Sequence, residues 1–102
     1  MGYRWRANQI LNSAKSVKKL FEITGKVAVI TGGAGFLGQK HAEAIAEFGG
    51  IPILLDNDND LGIEKANRIS EKFEVDCEFY CCDVTDEEQI ISVRDSLLKK
   101  YS

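Results

Sequence analysis

A glycine-rich segment, Thr31–Gly38 (TGGAGFLG), constrains the fold of this chain more than any other feature of its sequence. It follows the apolar run Val27–Ile30 and precedes a segment with helical character, Gln39–Phe48. When a strand, a tight glycine turn and a helix follow one another, the first N–H groups of the helix are unpaired, and the helix dipole favours an anion there. The segment therefore predicts a binding site for a phosphate-bearing ligand.

Three glycines of this segment have separate predicted roles. Gly32 allows a sharp turn away from the strand, and Gly35 leaves room for a pyrophosphate to approach the backbone. Gly38 allows the helix to pack closely on the sheet. Phe36 and Leu37 lie between Gly35 and Gly38 and are assigned to the same cofactor-binding site.

An acidic residue stands where a dinucleotide-binding fold requires one. Asp56 ends the apolar run Ile51–Leu55 and lies eighteen positions after Gly38. A carboxylate at the tip of the second strand accepts hydrogen bonds from the ribose hydroxyls of an adenine dinucleotide. The neighbouring Asn57 is included in the predicted site. The alternative is a βαβ unit with a tight turn and no nucleotide.

The charges around Asp56 favour one cofactor over another. The carboxylate of Asp56 would repel the 2′-phosphate of NADP(H), no arginine directly follows it, and Asp58 and Asp60 add negative charge. The sequence therefore predicts NAD(H) in preference to NADP(H).

Apolar periodicity predicts strands that alternate with helices along most of the chain. Strands are expected at Lys26–Thr31, Ile51–Asp56 and Cys77–Cys82. Helices are expected at Gly35–Phe48, at Asp60–Phe73 and from Thr85 to about Tyr101. Such alternation implies a parallel sheet with right-handed crossovers. The predicted class is α/β, half of a Rossmann fold with three parallel strands in βαβαβα order, preceded by an amphipathic N-terminal helix.

Two helix details are also predicted. Thr85 is expected to be the N-cap of the last helix, in a capping box with Glu88. The core stripe of the first helix after the glycine turn is expected to consist of Leu37, Ala44, Ile45 and Phe48.

The composition excludes several functions. A net charge of −3 argues against general affinity for nucleic acids. No apolar stretch approaches the roughly 18 residues that a membrane span needs. The cysteines, Cys77, Cys81 and Cys82, are odd in number and clustered, so they are expected to be buried thiols on a strand, in a reducing cytoplasm. Their spacing lacks a second ligand pair, and no metal site is expected.

The N-terminal part carries a different charge from the rest. Residues 1–26 hold six basic and one acidic side chain, a net charge of +5, whereas residues 27–102 hold seven basic and fifteen acidic ones, a net charge of −8. Apolar residues recur at helical spacing between Asn8 and Phe21. Residues 1–23 are therefore predicted to be a basic amphipathic helix or arm, and residues 24–102 a partial dinucleotide-binding domain. We favour a helix that packs on the domain or on a partner subunit, with a targeting peptide as the alternative.

Three segments together resemble one family. Gly25–Gly38 (GKVAVITGGAGFLG), Asp56 and Cys82–Thr85 (CDVT) are similar to the matching segments of short-chain dehydrogenases/reductases, over about residues 24–101. The resemblance implies an oxidoreductase that transfers hydride between a nicotinamide cofactor and an alcohol or carbonyl compound. It also implies that Asp83 accepts a hydrogen bond from the adenine amino group and that Val84 packs on the adenine ring. Without the resemblance, Asp83 is a loop residue before a helix.

Phe36 departs from the commoner branch of this family, which has glycine at the matching position. The spacing of Gly32, Gly35 and Gly38 resembles the extended branch, which includes nucleotide-sugar epimerases and dehydratases. The lead-in segment before Thr31 and the helix segment after Gly38 resemble the commoner branch. The substrate is therefore open, with a sugar or a sugar-derived alcohol as the expectation.

The family's catalytic tyrosine and lysine, spaced Tyr-x-x-x-Lys, have no counterpart in this sequence. The residue four positions after Tyr3 is alanine, the one after Tyr80 is valine, and Tyr101 is followed only by a serine. No catalytic residue is assigned, and the chain alone is expected not to turn over NAD⁺ with an alcohol. Two functions remain: the NAD-binding N-terminal portion of an oxidoreductase, or a non-catalytic dinucleotide-binding or interaction module, including the product of a truncated gene.

The first strand is central in a complete Rossmann sheet, whose strand order is 3-2-1-4-5-6. With only three strands in the sequence, Lys26–Thr31 becomes an edge whose unpaired N–H and C=O groups can pair with another strand. We therefore expect marginal stability, or association with a second copy or a partner, through this edge or through the N-terminal helix.

Overall fold

The computed structural model describes residues 17–102, with side chains from residue 19 onward. The elements are α1 (Val17–Leu20), β1 (Val27–Thr31), α2 (Phe36–Glu47), β2 (Ile51–Asp56), α3 (Asn59–Phe73), β3 (Glu78–Cys81) and α4 (Glu87–Tyr101). Most of the helix predicted between Asn8 and Phe21 lies outside the described residues, and the proposed domain boundary after residue 23 stays a prediction. Among residues 17–102, no helix combines the length and apolar character needed to cross a membrane.

The three strands form a parallel sheet in the order β1-β2-β3. Val27 is opposite Ile51 in the first pair of strands, and Ile53 is opposite Glu78 in the second. A parallel sheet requires crossover connections, and α2 and α3 provide them. The predicted half of a Rossmann fold is confirmed, and the strands begin or end within one residue of their predicted bounds.

The central strand β2 is buried on both faces. Ile53 and Leu54 are both fully buried, and successive side chains of a strand point to opposite faces of the sheet. On one face Leu54 packs in a cluster with small residues of α2 and α3, among them Ala46 and Ala66. On the other face Ile53 packs in a cluster with Val93 of α4. Helices therefore cover both faces of the sheet, and β2 supplies the buried residues that join the sheet to them.

The predicted core stripe of α2 is wrong in part: Ile45 and Phe48 are half-buried, but the other two residues are not. Leu37 is 65% exposed and Ala44 is also exposed, whereas Gly38, Ala42 and Ala46 are the buried residues of the helix. The helix lies so close to the sheet that only small side chains fit between them. Apolar spacing alone misplaced Leu37 and Ala44, because in this helix side-chain volume selects the fully buried positions.

The end of α2 is formed by a glycine in the left-handed region. Gly49 has φ +87°, and its N–H donates to the carbonyl of Ala46 at 3.0 Å. A side chain is strained at this φ, so glycine is the favoured residue after a helix C-cap. This agrees with the predicted helix end at Gly49-Gly50 and leads the chain directly into β2.

The C-terminal turn of α4 is attached to β3 by a polar cluster. The hydroxyl of Tyr101 donates to the carboxylate of Glu78, and Nζ of Lys100 lies 3.0 Å from Oε2 of the same carboxylate. Burial alone would raise the pKa of Glu78, but these hydrogen bonds, the charge of Lys100 and a hydrogen bond from Tyr80 together lower it below its usual value. The cluster fixes α4 across the sheet.

The outer edge of β1 is open in the described part of the chain. β1 pairs with β2 alone, and Val27 and Val29 are 37% and 50% exposed. Between this strand and α4 lies a groove of about 400 Å³, lined mainly by apolar side chains that include Leu97 and Leu98. The continuous apolar run of β1 is typical of a central strand. Here β2 pairs with one edge of β1, and the other edge has no partner strand within residues 17–102.

The cysteines do not share one environment, so the expectation of three buried thiols is wrong in part. Cys82 is buried and Cys77 half-buried, whereas Cys81 is exposed. Burial raises the pKa of Cys77 to about 12 and also raises the pKa of Cys82, which makes both thiols poor nucleophiles. Cys81 differs because it is the last residue of β3, beyond the part of the strand that the helices cover.

The close contact between α3 and β3 can be tested at Gly62. A β-carbon there would lie 2.1 Å from Cε1 of Phe79. Helix propensity alone favours alanine over glycine by about 1 kcal/mol, but overpacking costs about 1–3 kcal/mol. We therefore expect Gly62→Ala to lower the free energy of unfolding, measured by urea denaturation at a fixed protein concentration. The matched control is Asn67→Ala, an exposed position on the same helix, where we expect a change within about 0.5 kcal/mol. Equal or higher stability of Gly62→Ala would contradict the contact.

Candidate dinucleotide-binding site

The glycine turn is joined to the sheet by backbone hydrogen bonds. Gly32 adopts φ +65°, a left-handed conformation that favours glycine, and turns the chain away from β1. The N–H of Gly33 then donates to the carbonyl of Leu55 at 3.0 Å, and the N–H of Gly35 donates to the carbonyl of Gly32 at 3.0 Å. The turn is therefore a defined structure that continues the pairing of β1 with β2.

Gly33 is a residue of the site that sequence reasoning missed. It is buried, and a β-carbon there would lie 2.7 Å from Cβ of Leu54. The turn can thus cross over β2 only if this position has no side chain. The signal in the sequence was the doubled glycine directly after the strand, of which only the first member was assigned a role.

Gly38 allows the first turn of α2 to contact the glycine turn. A β-carbon at Gly38 would lie 2.3 Å from the carbonyl oxygen of Gly32 and 2.9 Å from Cα of Gly33. The close approach is therefore made to the preceding turn, rather than to a side chain of the sheet. This contact sets where the helix N-terminus lies relative to the end of β1.

The N-terminus of α2 has no acidic group of its own. Gly35 is the N-cap and provides no side-chain cap, and the first turn contains no acidic residue. The first intrahelical donor is the N–H of Gln39, which reaches the carbonyl of Gly35 at 2.9 Å. The N–H groups before it have no partner within the helix, and the positive end of the helix dipole lies there. The side chains of Phe36 and Leu37 are 76% and 65% exposed on this turn.

The structure brings Asp56 directly against the glycine turn. Its Oδ2 accepts a hydrogen bond from the N–H of Ala34 at 3.1 Å, and its Oδ1 accepts one from the N–H of Asp58 at 3.1 Å. Asn57, the next residue, is exposed, and its carbonyl accepts a hydrogen bond from the thiol of Cys81 at 3.6 Å. The strand tip thus contacts both neighbouring loops.

Asp83 and Val84 follow the next strand, at the same edge of the sheet. Oδ1 of Asp83 accepts hydrogen bonds from the hydroxyl of Thr85 at 2.6 Å and from its N–H at 2.9 Å. These two bonds lower the pKa of Asp83, so its carboxylate is charged at neutral pH. Val84 is 48% exposed. Carboxyl ends of adjacent parallel strands meet at one edge, so this loop lies beside the tip of β2.

The predicted N-cap of α4 is wrong by one residue. Thr85 is engaged by Asp83, and Asp86 caps the helix instead, with its Oδ1 accepting from the N–H groups of Glu88 and Gln89 at 3.0 and 3.4 Å. Gln89 completes the cap, since its Nε2 donates to Asp86 at 3.0 Å and its Oε1 accepts from the N–H of Asp83 at 2.8 Å. The cap therefore also holds the loop that carries Asp83.

Comparison with known proteins identifies the family. A sequence model of the short chain dehydrogenase family matches residues 26–102. The match covers most of the chain, so the chain belongs to the short-chain dehydrogenase/reductase family. The resemblance predicted from the glycine turn, the acid and the Asp-Val pair is thereby confirmed, and so is a site for NAD(P) at the level of the family.

Curated relatives are about three times as long as this chain. The (−)-isopiperitenol/(−)-carveol dehydrogenase, mitochondrial, of Mentha piperita is 40% identical over 87 residues, which are 84% of this chain and 31% of the relative. The sorbose reductase of Candida albicans is 34% identical over 86 residues, which are 84% of this chain and 30% of that protein. The chain thus spans about a third of the length of the relatives it matches.

Solved structures show the same architecture. The NADPH-dependent 3-quinuclidinone reductase of Rhodotorula rubra matches with a TM-score of 0.78 and 35% identity, over 86% of this chain and 33% of that one. An NAD⁺-bound xylitol dehydrogenase matches with a TM-score of 0.72 and 33% identity, over 76% of this chain and 30% of that one. Both cofactors therefore occur among similar structures.

The roles of two glycines in this segment, Gly35 and Gly38, can be distinguished by alanine substitution. Gly38→Ala puts a methyl group against backbone atoms, whereas at Gly35 the β-carbon would meet only the carbonyl oxygen of Gly32, at 3.3 Å. We expect Gly38→Ala to destabilise the chain by about 1–3 kcal/mol and Gly35→Ala by less than about 1 kcal/mol. If Gly35 provides the approach for a pyrophosphate, Gly35→Ala should nevertheless weaken NADH binding, measured by fluorescence titration. A folded Gly35→Ala variant with unchanged NADH affinity would contradict this role.

Proposed function

We propose that this chain binds NAD(H) at the carboxyl edge of its sheet and forms the dinucleotide-binding portion of an oxidoreductase. The observation that carries the proposal is the contact between Asp56 and the glycine turn, which joins a ribose-binding carboxylate to a phosphate-binding helix N-terminus in one site. The family membership supports it, because its fold is built around such a site.

Each part of the site has a proposed task. The unpaired N–H groups at the start of α2, from Phe36 to Gly38, bind the pyrophosphate, and Gly35 leaves the backbone open to it. Asp56 accepts hydrogen bonds from the adenosine ribose, with Asn57 beside it. At the next strand end, Asp83 accepts from the adenine amino group and Val84 packs on the ring. Once bound, the nicotinamide would supply or accept hydride.

We propose a preference for NAD(H) over NADP(H), based on the residues of this chain. Asp56 is followed within four positions by Asp58 and Asp60, and a 2′-phosphate near them would be repelled. Relatives are described with either cofactor, as in the NADPH-dependent quinuclidinone reductase and the NAD⁺-bound xylitol dehydrogenase. The charges at the strand tip therefore carry this proposal.

The proposed reaction is hydride transfer between the cofactor and an alcohol or carbonyl compound. Similar proteins are named as reductases or dehydrogenases of sorbose, xylitol and mannitol, and of terpenoid alcohols such as borneol. A sugar or a sugar-derived alcohol is the substrate class we favour. The sequence has no Tyr-x-x-x-Lys pair, so groups outside these residues must provide the acid and base, and the chain alone should not turn over NAD⁺. The comparisons favour this function over a non-catalytic module.

We place the protein in the cytoplasm as a further proposal. Its support is the set of free thiols at Cys77, Cys81 and Cys82, which suits a reducing compartment. Fluorescence microscopy of a C-terminally tagged chain tests it, and a mitochondrial signal would instead support the targeting role considered for residues 1–23.

The cofactor proposal is tested by titrating NADH and NADPH separately against the chain. We expect NADH to bind at least about tenfold more tightly, since the 2′-phosphate meets the carboxylate of Asp56. Asp56→Asn should reduce the ratio of the NADH affinity to the NADPH affinity, because it removes the negative charge that repels the 2′-phosphate. Asp95→Asn, an exposed residue of α4, removes the same charge away from the strand tip and should leave the ratio unchanged. No NADH binding would refute the function, and equal or tighter NADPH binding would refute the preference.

We also propose that the open edge of β1 pairs with the same edge of a second copy. A two-fold interface uses one patch twice, and a strand edge is self-complementary when two copies run antiparallel. The exposed Val27 and Val29 and the apolar groove beside them would be covered in such a pair.

The association is tested by sedimentation and by light scattering after size exclusion. We expect the wild-type chain to form a dimer at micromolar concentration and Val29→Lys to shift it towards monomer, because lysine on an edge strand opposes pairing. The control is Ile63→Lys, which charges an exposed apolar position on α3 and should leave the dimer intact. A wild-type chain that is a monodisperse monomer and unfolds cooperatively would contradict the proposal.

A further inference from the structure

The carboxylate of Asp56 is held by backbone groups on both of its sides. Oδ2 accepts from the N–H of Ala34 in the glycine turn, and Oδ1 accepts from the N–H of Asp58 in the loop before α3. Asp58 in turn caps α3, where its side chain accepts from the N–H of Leu61 at 3.1 Å. One side chain therefore connects the two loops that border the site.

The bond to Ala34 extends a series of contacts between the glycine turn and β2. The N–H of Gly33 donates to Leu55, and the N–H of Ala34 donates to Asp56, so two successive amides of the turn are bound by two successive residues of the strand. Ala34 is 2% exposed. A buried N–H that loses its acceptor is destabilising, so this bond contributes to the conformation of the turn.

Apart from the backbone hydrogen bonds of Gly33 and Gly35, the turn has almost no side chain with which to fix its shape. Glycine is the residue with the most conformational freedom to lose, and three of the four residues from Gly32 to Gly35 are glycines. The one with a side chain, Ala34, is the residue whose N–H the carboxylate holds. The direction of the N–H groups at the start of α2 depends on this turn, since Gly35 is the N-cap of that helix.

We propose that Asp56 is a positioning residue for the pyrophosphate, in addition to its role towards the ribose: by holding the N–H of Ala34 it orders the turn whose amides bind the anion. The inference rests on the proposed dinucleotide binding. It predicts that removal of the carboxylate weakens anion binding, which is opposite to the effect that charge repulsion alone would give. A carboxylate close to an anion site repels the anion, so its removal should strengthen anion binding unless the carboxylate orders the site.

The test uses inorganic pyrophosphate, which has no ribose. Binding is measured by NMR titration of the wild-type chain, Asp56→Ala and Asp60→Ala. We expect Asp56→Ala to weaken pyrophosphate binding about fivefold or more, the effect of one lost hydrogen bond of roughly 1 kcal/mol. Asp60→Ala removes a nearby charge that makes no bond to the turn, and it should leave the affinity equal or higher. Unchanged or tighter binding to Asp56→Ala, or no binding to the wild type, would overturn the positioning role.

A second measurement is independent of any ligand. Residue-resolved amide exchange of the free chain should show faster exchange at Ala34 in Asp56→Ala, by about tenfold, with exchange in β2 little changed. Asp56→Asn keeps one acceptor oxygen, so its exchange rate at Ala34 should lie between those of the wild type and of Asp56→Ala. If the alanine variant does not fold, the comparison of Asp56→Asn with the wild type tests the proposal. Equal exchange at Ala34 in all three proteins would overturn the proposal.

The two proposals fail in different ways. If the wild-type chain binds pyrophosphate but not NADH, the proposed function fails while the role of Asp56 in the turn is still decided by the exchange at Ala34. If NADH binding falls in Asp56→Ala but pyrophosphate binding and exchange do not change, Asp56 is a ribose ligand only and the positioning role is wrong.

Discussion

The structure depends on the burial of β2 between helices on both of its faces. Ile53 and Leu54 are fully buried on opposite sides of this strand, and each anchors one of the two hydrophobic clusters. The same strand receives the glycine turn, through Leu55, and ends in Asp56. The packing that stabilises the sheet and the geometry that forms the candidate site are thus properties of one strand.

Much of this arrangement could be predicted from the sequence, because strong local patterns agree with the tertiary fold. The glycine turn, the alternating elements and the acid at the end of β2 are local or nearly local signals, and the fold and the family follow from them. One error came from competition among neighbouring side chains for the same helix end, which residue spacing does not reveal. Thr85 has the right residue type for an N-cap, but Asp83 binds its hydroxyl and Asp86 takes its place.

In the candidate site, too, the features set by local sequence could be predicted, whereas those set by tertiary contacts could not. Asp56 could be placed at the strand tip by counting along the sequence, but its bond to Ala34 depends on how the glycine turn folds back over β2. Gly33 was missed for this reason, since the side chain it must avoid belongs to Leu54 on the neighbouring strand. Side-chain volume, which apolar periodicity does not take into account, likewise explains why alanines of α2, rather than Leu37, are buried against the sheet.

The two faces of the sheet differ in how much change they can absorb. Under α2 and α3, glycine and alanine set the distance between helix and sheet, and a single added methyl group at Gly62 meets the ring of Phe79. On the α4 side, the groove beside β1 leaves space of about 400 Å³. Within a single copy, larger side chains can therefore be added on the α4 face without displacing the glycine turn, so the two faces set unequal limits on how this chain can change in sequence while keeping one binding edge.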